Sequence, residues 1–186
     1  MCVKSMLCAL ALSLATPALA IAQQTPAPTD LRLGLVGRWT GALGYRDYQT
    51  DRLFEIPVQT TISTPGDGAT LIRQSLFDDG PENPVWITTV SLDDPAASTV
   101  MEASYRAGRQ PELSTDRVTV SAYNGPTSWT LVYSQTGEDN DEPADIRVTE
   151  TRSGGDLMSI KEVRPVGAGE DAWRFRNQTR LRRVGD

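Results

Sequence analysis

Apolar and polar residues alternate with a period of two through most of this 186-residue chain, and turn residues break the alternation at short intervals. A period of two sends successive side chains to opposite faces of an extended backbone, so each run reads as a half-buried strand. Trp39, Gly41, Leu43 and Tyr45 share one face of a first strand. Phe54, Ile56, Val58, Thr60 and Ile62 share one face of a second, and Pro57 on its other face marks a bulge or an edge. Pro65-Gly66-Asp67-Gly68 then forces a turn. A third strand is predicted over 69–77, a fourth on Trp86, Thr88, Val90 and Leu92, a fifth over 99–105 and a sixth over 117–123. Trp129, Leu131 and Tyr133 mark a seventh, Ile146 and Val148 an eighth, and residues 157–164 a ninth, entered through the hairpin turn Ser153-Gly154-Gly155-Asp156. Trp173, Phe175, Asn177, Thr179 and Leu181 alternate along the last.

Beyond the N-terminal segment only residues 31–36 suggest a helical turn, and no strand–helix–strand rhythm appears. Short turns between consecutive strands imply sequential antiparallel pairing. A meander of this length exposes two edges unless it closes on itself. The expected fold is therefore all-β: a single antiparallel up-and-down β-barrel of about 8–10 strands. A two-sheet sandwich is the competitor, but its Greek-key crossings need longer connections than this chain offers.

The N-terminus carries a different kind of information. Lys4, the apolar run Met6 to Leu14 and the small residues around Pro17 to Ala22 have the layout of a cleaved signal peptide, assigned to residues 1–22. Residues 23–30 (QQTPAPTD) read as a polar linker, and 31–186 as the folded domain. The expected location is periplasmic or secreted, and the apolar run is too short to span a bilayer. Both cysteines, Cys2 and Cys8, leave with the signal, and Lys161 becomes the only lysine.

The chain has no histidine. This excludes the Ser-His-Asp triad, the Cys-His dyad and His-ligated zinc or haem. Acidic residues outnumber basic ones, 24 to 18, and the one Arg-dense stretch, 174–183, alternates with other residues as a strand does, so no nucleic-acid partner is expected. No catalytic residue, metal site or cofactor is expected.

Gly37-Arg38-Trp39 opens the first strand just after the helical turn. This resembles the G-x-W opening motif of lipocalins and other calycins. In that family the Trp plugs one end of the barrel and an Arg near the end of the last strand packs over its indole. The resemblance implies that Trp39 is the plug and, by strand parity, that Arg183 is its partner. It also implies a cup-shaped cavity for a small apolar or amphipathic ligand, with Leu43, Tyr45, Phe54, Ile56, Val58, Trp86, Tyr133, Trp173 and Phe175 as the candidate lining. A haem-binding barrel of the nitrobindin kind is a related resemblance, but its axial histidine has no counterpart in this chain.

Two other readings remain at this level. A barrel packed solid with its own side chains would act through its loops, such as the hairpin Tyr45-Arg46-Asp47-Tyr48 or the acidic stretch 138–145. The latter resembles an EF-hand loop only in part, because Pro143 and Ala144 occupy positions five and six, the second of which requires Gly. A carboxylate-dependent hydrolase would need two Asp or Glu side chains in one cleft. Ser159 and Lys161 share a strand face but lie about 7 Å apart along it, too far for direct proton transfer.

Overall fold

The computed structural model describes residues 25–47, 50, 52–78, 80 and 84–185. The N-terminal segment read as a signal, with both cysteines, and Tyr48 of the first hairpin lie outside the described residues. A six-residue helix, α1 (Pro28–Leu33), precedes ten strands. These are β1 (Gly37–Asp47), β2 (Arg52–Ser63), β3 (Thr70–Asp78), β4 (Pro84–Asp94), β5 (Thr99–Arg106), β6 (Glu112–Tyr123), β7 (Ser128–Asp139), β8 (Glu142–Ser153), β9 (Asp156–Pro165) and β10 (Arg174–Gly185). Each strand pairs antiparallel with its sequence neighbours, and β1 pairs with β10, so the sheet is a closed up-and-down barrel. The all-β barrel expected from the alternation is the fold.

Closure depends on a glycine. Gly41 sits opposite Leu181 in the β1–β10 ladder. A Cβ at Gly41 would lie 1.8 Å from the carbonyl oxygen of Arg180, so no other residue fits without displacing β10.

One end of the barrel is sealed by α1 and the start of β1. Proline at the first helical position starts the short helix, three residues inside the stretch whose composition reads as linker. Leu31 and Leu35 are buried. Trp39 is 1 % exposed, and its indole N–H donates to the Leu35 carbonyl at 2.9 Å. Arg183 lies 5.5 Å from the Trp39 ring centre and donates through Nη2 to the Val36 carbonyl at 2.6 Å. Arg152 of β8 donates to the Gly34 carbonyl at 2.8 Å and lies 6.0 Å from the same ring. Two guanidinium groups thus bind the carbonyls of the turn after the short helix, and both lie near the Trp39 ring. Val58, Val100, Leu131, Leu157 and Leu181 pack around this plug.

Three differences from the sequence reading concern strand ends and register. Residues 138–145 are not a loop: β7 and β8 run on to Asp139 and Glu142, with only Asn140 and Asp141 in the turn, both at positive φ. Asn and Asp tolerate that conformation, so a two-residue hairpin replaces any EF-hand geometry. The ladder between β9 and β10 slips between Phe175 and Asn177, which moves Phe175 opposite Glu162. β6 begins at Glu112 rather than near Arg117.

Removing the plug tests this account. Trp39→Ala is expected to lower stability by about 3–5 kcal/mol, the usual loss for a fully buried aromatic, in urea unfolding followed by far-UV circular dichroism. Trp86→Ala, at a side chain 58 % exposed, is expected to have a much smaller effect.

Candidate functional site

Beyond the plug the barrel is not filled. A cavity of about 310 Å³ lies between the strands, with Arg32 and Leu35 of the plug region among its lining. Its apolar lining is Leu35, Ile62, Leu71, Ile146 and Val148, spread over the turn after α1, β2, β3 and β8. The rest is polar and includes the ionisable residues Arg32, Arg73, Glu102, Asp116, Tyr133, Glu150 and Lys161.

These charges are organised into two committed groups and a remainder. Arg32 is buried and donates to Asp93 Oδ1 and Ser91 Oγ, both at 2.8 Å. The Asp93 side chain is 2 % exposed, and its Oδ2 has no hydrogen-bond partner among the described residues. This ion pair ties α1 to β4. Glu150 is the second centre: Tyr133 donates to its Oε1 at 3.3 Å, and Ser159 and Arg73 to its Oε2 at 3.1 and 3.4 Å. The Ser159 hydroxyl is therefore directed at a carboxylate rather than at Lys161. The remainder is Glu102, Asp116 and Lys161. Glu102 has a 3.5 Å contact to Arg32, and Asp116 accepts one hydrogen bond, from Ser114 at 3.1 Å. No ion pair to Lys161 forms among the described residues.

Burial governs the acid–base behaviour of this group. It pushes the Glu102 carboxyl above its ordinary range despite the pull of Arg32 and Arg73. The 37 % of that side chain's surface that stays accessible opens on the cavity, so protein still surrounds it. Asp116 is also raised by burial, against the Ser114 hydrogen bond and the charges of Arg32 and Lys161. The Tyr133 phenol is pushed well above its ordinary value by burial and by Glu150, so it stays protonated and donates.

Of the side chains that sequence parity assigned to a cavity, Tyr133 lines this one. Val58 packs in the sealed part of the barrel. Leu43, Tyr45, Phe54 and Ile56 share a face with Thr179 and Asn177, which do line the cavity, but they sit along β1 and β2 toward the open end. Tyr45 is 42 % and Phe54 58 % exposed there.

Three candidates lie elsewhere. Trp86 is on the outer face of β4, because it is Thr89, Ser91 and Asp93 that point inward. Phe175, opposite Glu162 after the bulge, follows Glu162 to the outer face. Trp173 stacks outside, with Arg147 at 4.2 Å and Arg164 at 4.6 Å from its ring and Glu170 accepting from its indole N–H at 3.1 Å.

The cavity residues that periodicity overlooked carried a signal of their own. Glu102 is in phase with Val100, Asp116 with Val118, and Glu150 with Ile146. An ionisable residue two or four places from a buried aliphatic on one regular strand must itself face inward. On β4 the rule that apolar residues face inward gives the wrong side, because the cavity there is polar and the outer face is not.

No protein-family model matches the chain, and no curated protein does. Among solved structures it resembles the crystal structure of Rv2717c from M. tuberculosis, with a TM-score of 0.56 and 18 % identity, covering 85 % of this chain and 98 % of that one. At that identity the likeness is one of fold. The closed ten-stranded barrel fits the calycin-like architecture in general. No helix among the described residues is long and apolar enough to cross a membrane.

Two substitutions probe the charges. Arg32→Met strands the buried Asp93 carboxylate and is expected to lower stability by about 3–5 kcal/mol. Adding Asp93→Leu is expected to restore part of that loss, read by chemical unfolding of the single and double variants. The second probe concerns pH. A carboxyl that holds its proton more tightly in the folded chain than in the unfolded one favours folding at low pH. It withdraws that stability as pH rises from about 4 through the raised folded value. Asp116→Asn is therefore expected to raise Tm at pH 7, and the gain is expected to vanish near pH 3, where Asp116 is protonated in both states.

Proposed function

We propose that this chain is an exported binding protein that holds a small amphipathic ligand in the barrel, polar end inward. The observation that carries this reading is the composition of the barrel interior. A cavity of about 310 Å³ is lined by charged and apolar side chains together, and toward the open end the inner face is apolar at Leu43, Tyr45, Phe54 and Ile56. A ligand that is apolar throughout would strip water from Glu102, Asp116 and Lys161 without replacing its hydrogen bonds, at a cost of several kcal/mol. An amphipathic one meets the charged groups with its polar end and the apolar inner face nearer the open end with the rest. Export rests on the layout of residues 1–22, and the location proposed is the periplasm or the medium outside the cell.

A carboxylate-dependent hydrolase is the second reading, favoured by the raised proton affinity of Glu102 and Asp116 in one cavity. Against it stands their arrangement. Glu102 pairs with Ser114, two residues from Asp116, so both carboxyls project from the same β5–β6 wall. Glycosidase carboxyls instead flank the bond between them.

Binding is tested by native mass spectrometry of protein purified from an exporting host. One small amphiphile retained per chain, and lost in Val148→Trp, which fills part of the cavity, is the expected result. Ligand-free protein that also fails to take up added medium-chain amphiphiles would remove the reading. Signal cleavage is checked by the mass of the intact chain.

A further inference from the structure

The charges in the cavity do not balance within the protein. Arg32 is matched by Asp93, and Glu150 collects Arg73, Tyr133 and Ser159. Glu102, Asp116 and Lys161 are left over. Asp116 lines the cavity at only 8 % exposure, and of its two oxygens Oδ2 alone takes a hydrogen bond among the described residues. Among the described residues Glu102 has only its 3.5 Å contact to the already committed Arg32. Lys161 faces the same space from β9, three strands round the ring from β6 and four from β5. Two under-paired carboxylates on one wall thus look across the cavity at an ammonium group that makes no ion pair among the described residues.

We propose that the cavity reads a zwitterionic head group, with a protonated amine seated against Glu102 and Asp116 and an acid group at Lys161. This rests on the reading that the barrel holds a small amphipathic ligand, and it adds the chemistry of that ligand's polar end. A purely cationic head would leave Lys161 unmatched in a site shielded from water. A purely anionic head would leave Asp116 and Glu102 unmatched and would add repulsion. Only opposite charges on one head group complement both walls. The neighbouring serine and threonine hydroxyls and the Gln135 and Asn177 amides supply neutral partners for the remaining lone pairs and protons.

Four probes with similar alkyl chains separate the contributions: 2-aminodecanoic acid, decanoate, decylamine and decanol, titrated calorimetrically at pH 7 below their aggregation limits. The zwitterion is expected to bind at least about tenfold tighter than either singly charged probe, a difference of about 1.4 kcal/mol. Asp116→Asn is expected to collapse the preference for the zwitterion over decanoate. Lys161→Gln is expected to collapse the preference over decylamine. Circular dichroism checks that each variant is folded, and the wild-type series stands without them.

Decanoate or decylamine binding as tightly as the zwitterion overturns the proposal, and so does a preference that survives both substitutions in folded protein. Decanol binding as tightly as the zwitterion overturns the head-group assignment but leaves the amphiphile reading standing. If none of the four binds, both readings fall.

Discussion

The structure depends on β1 meeting β10. Ten strands paired only with their sequence neighbours leave two open edges, and backbone donors and acceptors along those edges must be satisfied somewhere. Here they satisfy each other, along a ladder from Arg38–Gly185 to Tyr45–Asn177. The contact is close enough that Gly41 has no room for a side chain beneath the Arg180 carbonyl. Closure divides every strand into an inner and an outer face. It also brings Arg183 to Trp39 and places the turn after α1 where Arg152 and Arg183 can bind its carbonyls.

The interior then divides its volume between two kinds of packing. Around the plug, Trp39, Val58, Val100, Leu131 and Leu181 are close to fully buried and supply the hydrophobic stabilisation of the fold. Farther up, ionisable groups are withdrawn from bulk water, where each is disfavoured unless paired. The Arg32–Asp93 pair and the Glu150 cluster largely offset that disfavour. The remaining triad does not, and the raised proton affinities of Glu102 and Asp116 are the measure of it. A chain selected for stability alone would fill this space with aliphatics, so the unbalanced charges are the physical reason for proposing a ligand there.

The strands were legible because period-two alternation is a local property, and so were the turns at Pro65-Gly66-Asp67-Gly68 and Ser153-Gly154-Gly155-Asp156, which glycine backbone freedom fixes. The cavity wall was much less legible. On β4 the apolar side chains Trp86 and Leu92 face outward, while Thr89, Ser91 and Asp93 face in. On β10 the alternation carries Phe175 in phase with Asn177, but one slipped residue between them reverses its face. The acidic stretch looked like a loop because its composition is polar, whereas Glu138 and Asp139 continue a strand that pairs with Pro143 and Glu142.

By itself the sequence determined that this chain forms strands, that their short connections make them antiparallel neighbours, and that without histidine much of common active-site chemistry is closed to it. These follow from residue type and nearest-neighbour spacing, which no partner strand can alter. Only the tertiary structure decided which of the two faces is the inside, because that depends on ladder register and on bulges summed around the ring. It alone decided that Arg32, Glu102, Asp116, Glu150 and Lys161, from five separate elements, line one cavity, since their proximity exists only once the barrel has closed.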